Sequence, residues 1–325
     1  MFVTQQVDPG HPALAATVPK IAELAERVDE VVVLADGAVH DALPANCRVR
    51  LFGAGSRAVR GRRFARALAA ELSPRPLAVV AHMAPVFAIL AAPLVRPRRI
   101  PLLLWFTHWK ASRTLSLGER AATAVLTVDR RSFPLRSEKV VPIGHGIDVG
   151  AFRCVERRPA GRLRALALGR TSPAKGLETI VRAATLADVD LELRGPSLTA
   201  EEQAERARLE ALGARVEEPV ARAEIPALLA RKDVLVNNMR EGALDKVVFE
   251  AAATCMPVLA SNAAFADLLG PELLFERDDA ESLAARLREV RSTDRDAVGR
   301  RLRDHVERRH SVAHWADELL AVAER

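Results

Sequence analysis

The fold of this 325-residue chain is decided by the stretch Leu163-Arg164-Ala165-Leu166-Ala167-Leu168-Gly169-Arg170-Thr171-Ser172-Pro173-Ala174-Lys175-Gly176. Its first six residues form a mostly apolar run, and the next eight form a polar loop with a glycine at each end. A helix-like spacing of apolar residues follows over Leu177–Ala187. A short apolar strand that leads through a glycine-bearing loop into an amphipathic helix is the repeating unit of parallel α/β sheets.

The same alternation of strand-like and helix-like segments runs from one end of the chain to the other. In the first half, strands are predicted at Phe2–Gln5, Val31–Ala35, Val49–Phe52, Leu77–Ala81, Leu102–Phe106, Ala124–Val128 and Val140–Ile143. In the second half, they are predicted at Leu163–Leu168, Leu191–Arg194, Val234–Asn237, Pro257–Ala260 and Leu273–Phe275, with helices such as Leu177–Ala187, Ala200–Leu212 and Leu283–Val290 between them. The pattern predicts an α/β protein with two Rossmann-like domains whose parallel sheets face each other across a cleft.

Two strand-to-helix loops of the second half are the best candidates for ligand binding. They are Gly169–Gly176 and Glu241–Asp245. Ligands of parallel α/β sheets lie beyond the carboxyl ends of the strands, so both loops are expected at that edge of the second sheet. A stretch with glycines and arginines, from Gly146 to Arg164, separates the two arrays and is interpreted as a linker.

The loop Gly169–Gly176 has the composition of a phosphate-binding site. Gly169 lets the chain leave the strand, and Gly176 permits a close approach where the helix begins. The free N–H groups of a helix N-terminus attract anions, and Arg170 and Lys175 add two positive charges. The alternative is an ordinary polar loop with solvated cations.

The second loop and the helix after it carry acidic residues. Glu250 falls within a mostly apolar helix, where a carboxylate needs a specific partner such as the two hydroxyls of a ribose. The alternative is an i,i+4 ion pair between Lys246 and Glu250 on a solvated face. Asp245 is either the N-cap of this helix or a ligand contact. Glu241 is either a ligand contact or a surface acid.

Two histidines follow predicted strands of the first half. His108 comes after Leu102–Phe106, and His82 comes after Leu77–Ala81. Both are therefore expected at the carboxyl-end edge of the first sheet, where an imidazole can hydrogen-bond a ligand hydroxyl. For each of them, the alternative is a histidine satisfied within the core.

Composition and charge exclude several classes of protein. Apolar residues make up 49% of the chain and charged residues 28%, as in folded globular domains. The net charge of +6 favours acidic partners, but the lack of tyrosine and the low aromatic content argue against nucleic acid. The cysteines Cys47, Cys154 and Cys255 have no CxxC spacing, so neither a zinc site nor a disulfide is expected. With no signal peptide or membrane-spanning segment visible, we expect a cytoplasmic location.

Three further patterns point to other functions. Asp188-Val189-Asp190 and Asp294-Arg295-Asp296 spell the D-x-D of metal-dependent transferases. The first is predicted on the amino side of a sheet and the second in a charged helical stretch, so no metal site is expected. Gly53-Ala54-Gly55-Ser56-Arg57-Ala58 matches the dinucleotide fingerprint G-x-G-x-x-A. This match leaves an NAD(P)-dependent oxidoreductase as an alternative function.

A cluster of arginines marks one predicted helix of the first half. The cluster consists of Arg57, Arg60, Arg62, Arg63 and Arg66, arranged around Phe64, Ala67 and Leu68. It predicts either a solvated helix or peripheral contact with an anionic membrane, which here would be the inner membrane face.

Taken together, these motifs resemble glycosyltransferase family 4, whose members are retaining enzymes of the GT-B fold. Gly144-His145-Gly146-Ile147-Asp148 with Phe152 resembles the motif of that family at the domain junction. Gly169-Arg170 through Lys175-Gly176 reproduces its G-R-x4-K-G phosphate loop. Glu250-Ala251-Ala252-Ala253 followed by Pro257-Val258 resembles its E-A-x-A and P-V segment, and Trp105 to His108 resembles the segment that holds its active-site histidine.

The resemblance implies a retaining, metal-independent glycosyltransferase without a cofactor beyond its nucleotide-diphosphate sugar donor. It implies an acceptor domain over 1–150, a donor domain over 151–310, and a C-terminal helix over 311–325 that returns to the first domain. Gly169, Arg170 and Lys175 would hold the diphosphate and stabilise it as it leaves. Glu250 would bind the ribose, and His108 would lie beside the donor sugar. The acceptor is not identified by the sequence.

Two segments depart from the pattern of the family. The family has E-x7-E, but the eighth residue before Glu250 is Gly242. Either a one-residue bulge brings Glu241 into place, or Asp245 and Lys246 lie near the sugar instead. The glycine pair after the first strand is replaced by Val7-Asp8-Pro9-Gly10-His11-Pro12, where His11 is a candidate on the acceptor side together with His82. These departures leave a non-catalytic scaffold that binds nucleotide sugar as a further alternative.

Overall fold

The chain folds into two α/β units in a computed structural model that describes residues 1–11, 14–157 and 161–325. The first unit comprises 1–148 and 309–325, and the second comprises 149–308. The C-terminal segment therefore belongs to the first unit. The sequence prediction had placed the boundaries at 150 and 310.

The first unit is built on a sheet of seven parallel strands. The strands are β1 (Phe2–Val7), β2 (Val31–Ala38), β3 (Cys47–Leu51), β4 (Val79–His82), β5 (Leu102–Trp105), β6 (Ala124–Thr127) and β7 (Val140–Pro142), in the order β3-β2-β1-β4-β5-β6-β7. The helices between them are α1 (Thr17–Ala25), α2 (Arg57–Ala70), α3 (Pro85–Val95) and α4 (Arg113–Ala121). All four residues of β5 are buried, because helices cover both faces of a parallel sheet.

The second unit has a smaller parallel sheet of five strands. They are β8 (Arg164–Leu168), β9 (Asp190–Arg194), β10 (Val216–Glu217), β11 (Val234–Asn237) and β12 (Val258–Ala260), in the order β10-β9-β8-β11-β12. The helices are α5 (Leu177–Ala187), α6 (Ala200–Ala211), α7 (Ile225–Ala230), α8 (Lys246–Ala253), α9 (Ala266–Leu269), α10 (Ala280–Ser292) and α11 (Arg295–His310). Two parallel α/β domains of Rossmann type, as predicted, are thus confirmed.

The order of the second sheet brings the two candidate loops together. The strand β8 pairs with β9 on one side and with β11 on the other. The loops that follow β8 and β11 therefore leave from adjacent carboxyl ends, at the point where the strand order reverses. Such switch points are the usual ligand sites of open α/β sheets.

The strand prediction failed at two places in this unit. Leu273–Phe275 is not a strand: Pro271–Leu273 form a 3₁₀ turn, and only one bridge joins Leu274 to Ala260. Pro271 fixes the turn, and Gly270 before it adopts φ of +76°. The edge strand β10 was missed, because two residues are too few to show a periodic pattern.

A final helix, α12 (Val312–Ala323), packs within the first unit. The indole of Trp315 meets that of Trp105 edge-on at 5.6 Å, and the buried Lys20 lies 4.9 Å from the Trp105 ring. A Cβ on Gly146 would approach Lys20 Cε to 2.4 Å, and one on Gly144 would meet the Arg309 carbonyl oxygen at 2.0 Å. Gly144 is therefore required by the return of the C-terminal segment, and Gly146 by the close packing of Lys20 and Trp315 against it.

The cysteines correct one prediction from the sequence. Cys154 and Cys255 form a disulfide, with their Cα atoms 4.9 Å apart. No spacing signal could reveal it, since 101 residues separate the two. Disulfides are uncommon in reducing compartments, so the pair counts against the cytoplasmic location, which stays a prediction. In the described ranges, no helix combines the length and apolar character needed to cross a bilayer.

Candidate active site

The loop between β8 and α5 is shaped by glycines at both ends. Gly169 has φ of +129°, and a Cβ there would lie 2.8 Å from Lys175 Nζ. Ser172 caps a 3₁₀ turn over Pro173–Lys175 by accepting a hydrogen bond from the Ala174 N–H. Gly176, with φ of +52°, is the N-cap of α5. Glycine is needed at both positions because side chains rarely adopt these angles.

Lys175 joins the two loops through a contact with Asp245. Its Nζ lies 2.5 Å from Asp245 Oδ2, and the lysine side chain is only 13% exposed. Asn237, the last residue of β11, donates a second hydrogen bond to the same oxygen at 2.9 Å. Burial opposes ionisation of Asp245, but the charge and the hydrogen bond of Lys175 outweigh it and lower the pKa of Asp245 below its usual value. Asp245 is therefore ionised at neutral pH.

Asp245 rather than Glu241 makes this contact. Asp245 occupies the N-cap position of α8, as one interpretation predicted, but its side chain makes no capping hydrogen bond. Its carboxylate is engaged by Lys175 and Asn237 instead. Glu241 lies exposed at a turn, beside Gly242 with φ of +80°.

Arg170 has an acidic partner that the sequence did not reveal. Its Nη1 lies 3.2 Å from Glu202 Oε1, and Glu202 is buried while Arg170 is 56% exposed. Glu202 Oε2 accepts a hydrogen bond from the Leu198 N–H at 2.7 Å, and Thr199 Oγ1 accepts one from the Glu202 N–H. The pattern Thr199-x-x-Glu202, typical of a helix N-terminus, was the available signal.

Glu250 lies buried on α8 between two cations. Its Oε1 is 2.5 Å from Arg222 Nη2 and 3.7 Å from Lys246 Nζ. Burial opposes the charge of Glu250, but Lys246 and Arg222 outweigh it and lower its pKa. The pKa of Lys246 is lowered mainly by burial, against the influence of Glu250. The Lys246–Glu250 pair exists, but the interpretation as a solvated pair is wrong because Glu250 is buried and Arg222 is its nearer partner.

Arg222 was missed because nothing distinguishes it from the other arginines of the chain. It lies in the 3₁₀ turn Arg222–Glu224, 28 residues before Glu250. Its guanidinium also stacks on the ring of Phe152 at 5.2 Å. Only the packing of this turn against α8 and Phe152 shows that Arg222 belongs to the candidate site.

Two buried asparagines fix the positions of the loops. Asn238 donates hydrogen bonds to the Gly176 carbonyl and to Asp278 Oδ1, both at 3.0 Å. Asn262 donates to the carbonyl oxygens of Ala243 at 2.8 Å and of Arg240 at 3.2 Å. Because these bonds link both loops to neighbouring segments, the charged groups are held in place before any ligand binds.

The predicted histidines of the first unit have different surroundings. His108 is exposed after β5, with its ring stacked 5.5 Å from that of Trp109. His11, after β1, accepts a hydrogen bond from the Leu14 N–H through Nδ1. His82 is buried, with Nδ1 3.3 Å from Thr4 Oγ1. Burial and the nearby Lys20 hold the pKa of His82 well below its usual value, so it is neutral.

The dinucleotide-like loop Gly53–Ala58 lies in a different context. It follows β3, which is the edge strand of the first sheet. Arg60 and Arg63 donate hydrogen bonds to the carbonyl oxygens of Ala54 and Gly53 at 2.9 and 2.6 Å. A dinucleotide fingerprint is expected at the switch point beside β1, so the edge position argues against it. In the described parts of the chain, no three His, Cys, Asp or Glu side chains converge as metal ligands would.

The comparisons with known proteins agree with this geometry. Residues 170–321 match a family model described as glycosyl transferase-like. Anabaena HepE in complex with UDP-glucose superposes with a TM-score of 0.77 at 17% identity, over 99% of this chain and 98% of HepE. Sucrose-phosphate synthase of Thermosynechococcus elongatus gives 0.75 at 17% identity, over 99% and 98% of the two chains.

A third solved structure is similar over the whole chain. AviGT4, a glycosyltransferase involved in avilamycin A biosynthesis, superposes with a TM-score of 0.71 at 17% identity, over 100% of this chain and 97% of AviGT4. No curated protein sequence matches the chain. The structural likeness shows the fold, which is GT-B, and the family model confirms the resemblance to glycosyltransferases for the residues it spans.

Proposed function

We propose that this protein is a glycosyltransferase that transfers a sugar from a nucleotide-diphosphate donor to an acceptor, with retention and without a metal ion. The observation that carries the proposal is the contact between Lys175 and Asp245. It joins a phosphate-type loop to a second charged loop at the switch point of the sheet, which is the usual ligand site of this fold. The match of residues 170–321 to a glycosyl transferase-like model supports it.

The charges around these loops suit a diphosphate leaving group. Lys175 and Arg170 each face one carboxylate, so those two pairs are neutral. Arg222 and Lys246 share the single carboxylate of Glu250, which leaves one positive charge in excess. As the bond to the sugar breaks, negative charge develops on the diphosphate, and the fixed cations and N–H groups stabilise it.

Within this proposal, the residues have distinct roles. Lys175 and Arg170 bind the diphosphate beside Gly169. Asp245, together with Lys246, replaces the first glutamate of the family motif near the sugar, because Asp245 and not Glu241 faces Lys175. Glu250 binds the ribose, with Arg222 holding its carboxylate.

The first unit would supply the acceptor side. His108 is exposed and would lie beside the donor sugar. His11 follows β1 and would face the acceptor. His82 is buried and bonded to Thr4, so its role would be to support the strand ends. The proposal assigns no second carboxylate as a nucleophile. The acceptor would therefore attack the sugar from the same face that the diphosphate leaves, which retains the anomeric configuration.

A panel of nucleotide sugars tests the proposal. UDP-glucose is the first donor to try, since HepE binds it in the same fold. Release of the nucleoside diphosphate is measured with and without candidate acceptors, and the anomeric configuration of the product is read by NMR. We expect release with at least one donor, and a chelator should leave the rate unchanged.

A non-catalytic scaffold is the second candidate. It is favoured by the fact that each predicted cation already has a carboxylate partner, which a bound diphosphate must displace. Calorimetric binding of a nucleotide sugar without release from any donor would favour the scaffold and contradict the proposed activity.

A further inference from the structure

The helices α3 and α4 expose apolar side chains on the surface of the first unit. No charged residue occurs within α3 (Pro85–Val95), yet Val86 and Leu90 are 43% and 39% exposed. On α4, Leu117 is 52% exposed. Val86 and Leu90 are four residues apart and therefore lie on the same side of α3.

The two helices are in direct contact. A Cβ on Gly118 of α4 would approach Pro85 Cβ to 2.7 Å, so glycine is needed for the helices to lie so close. At the other end of α3, Arg96 donates a hydrogen bond to the Arg120 carbonyl at 2.5 Å. The exposed residues Val86, Leu90 and Leu117 therefore lie on two helices that pack side by side, and we name the exposed surface of this pair the α3–α4 face.

The chain segment that carries this face is rich in exposed basic residues. Residues 85–121 contain six lysines and arginines, all of them exposed, namely Arg96, Arg98, Arg99, Lys110, Arg113 and Arg120. The segment has one acid, Glu119, which accepts a hydrogen bond from Ser137 Oγ at 2.7 Å. The segment of the α3–α4 face thus combines exposed apolar side chains with a strong positive charge.

We propose that the α3–α4 face docks on the surface of a bilayer that contains anionic phospholipids. The apolar side chains would enter the boundary between headgroups and acyl chains, while the arginines would meet lipid phosphates. A second copy of this chain fits less well, since it would bring the same positive charges against each other. The inference is independent of the transfer reaction, because it concerns the surface of the first unit alone.

The arginine helix α2 is a weaker candidate for the same contact. Its large apolar residues Phe64 and Leu68 are buried in the core. Arg60 and Arg63 donate hydrogen bonds to carbonyl oxygens of the loop that precedes α2. The helix α2 thus offers charge without an exposed large apolar side chain, so we expect it to add little to membrane binding.

Co-sedimentation with vesicles tests the assignment. The full chain is mixed with vesicles of phosphatidylcholine, with or without a third of phosphatidylglycerol, at low and at high salt. We expect the wild type to bind the anionic vesicles and to be released by salt. The variant Leu90→Glu should bind the anionic vesicles at least about tenfold more weakly, since it places a negative charge among the exposed apolar side chains.

Three controls make the test decisive. Leu212→Glu replaces an exposed leucine of the second unit, 46% exposed, and should bind like the wild type. Arg62→Glu changes α2 and should weaken vesicle binding less than Arg98→Glu does. Thermal unfolding and light scattering of each variant check the fold and the oligomeric state. The proposal would be overturned if the wild type stayed in solution in the presence of anionic vesicles, or if Leu90→Glu bound them as well as the wild type does. A wild-type dimer that Leu90→Glu dissociates would also overturn it.

Discussion

Two glycine-bearing loops of this molecule look alike in sequence and behave differently in the structure. Gly169–Gly176 follows the central strand β8, and Gly53–Ala58 follows the edge strand β3. In the central loop, Lys175 reaches Asp245 on the loop of the neighbouring strand. At the edge loop, Arg60 and Arg63 of α2 donate hydrogen bonds to the carbonyl oxygens of Ala54 and Gly53, and Arg60 also pairs with Asp36 of the neighbouring strand β2 at 3.2 Å. The two loops thus differ in where the opposing acid lies: Asp245 is on a second loop at the switch point, whereas Asp36 is within a strand beside the sheet edge.

The largest effect is expected for Lys175→Ala. Loss of a fixed cation facing the leaving group should lower kcat by about 10²–10³ with the fold intact. Arg60→Ala, in α2 beside the edge loop, is the matched control and should leave kcat within about twofold, because Arg60 has no part in leaving-group stabilisation. Steady-state kinetics with the active donor measure kcat of both variants. Equal losses of kcat would show that the two loops do not differ in function.

The next largest effect is expected on the free energy of unfolding when the buried charge of Glu250 is removed. Its folded-state pKa lies below the reference value of 4.5, so its contribution to stability is present above pH 4.5 and is lost as the pH falls through the lower folded value. Glu250→Gln should reduce the free energy of unfolding at pH 7 by about 2–3 kcal/mol, because two half-buried cations lose their carboxylate partner. Urea unfolding at pH 7 and below pH 4 should show this difference shrinking in acid.

An exposed acid provides the control for that measurement. Glu241→Gln should change the free energy of unfolding by less than about 0.5 kcal/mol at either pH, as surface substitutions usually do. A Glu250→Gln variant as stable as the wild type at pH 7 would mean that the carboxylate is not engaged by Arg222 and Lys246 in solution.

A smaller effect separates the two acids of the second loop. Asp245→Asn should lower kcat by about tenfold, a loss of about 1.4 kcal/mol in transition-state stabilisation. Glu241→Gln should leave kcat unchanged if Asp245 has taken over the position near the sugar. The opposite ranking in the same assay would show that Glu241 enters the site when donor binds.

The smallest effect concerns the edge loop and NAD(H). Because Gly53–Ala58 lies away from the switch point, NAD(H) should not raise the melting temperature. UDP or GDP should raise it through binding to the second unit, by the general stabilisation of a folded state by its ligand. A shift with NAD(H) that Gly53→Val abolishes would restore the oxidoreductase interpretation.

The sequence predicted those features that depend on neighbouring residues. The periodic pattern gave α5 with its observed bounds, Leu177–Ala187, and β11 at Val234–Asn237. Strand-to-helix alternation was enough to predict the two parallel sheets, and the order of motifs placed both loops at one edge. Each of these inferences uses only short-range patterns and a rule about parallel sheets.

The features it missed depend on contacts between distant residues. Arg222 meets Glu250 across 28 residues, and Cys154 meets Cys255 across 101. In a chain with 48 lysines and arginines, no local signal selects the cation that a buried acid will use. The choice between Asp245 and Glu241 likewise depended on the direction of a side chain at the N-cap of α8, which the spacing of the motif does not fix.

Calorimetric binding of a nucleoside diphosphate and its parent nucleoside tests the central claim most directly. The claim is that Lys175, paired with Asp245, forms a diphosphate site with the central loop. With the tighter binder of UDP and GDP, wild type should prefer the diphosphate over the nucleoside by at least about tenfold, as a charge-assisted contact implies. Lys175→Met should lose most of that preference while keeping nucleoside affinity. A variant that still prefers the diphosphate as strongly as the wild type would contradict the account.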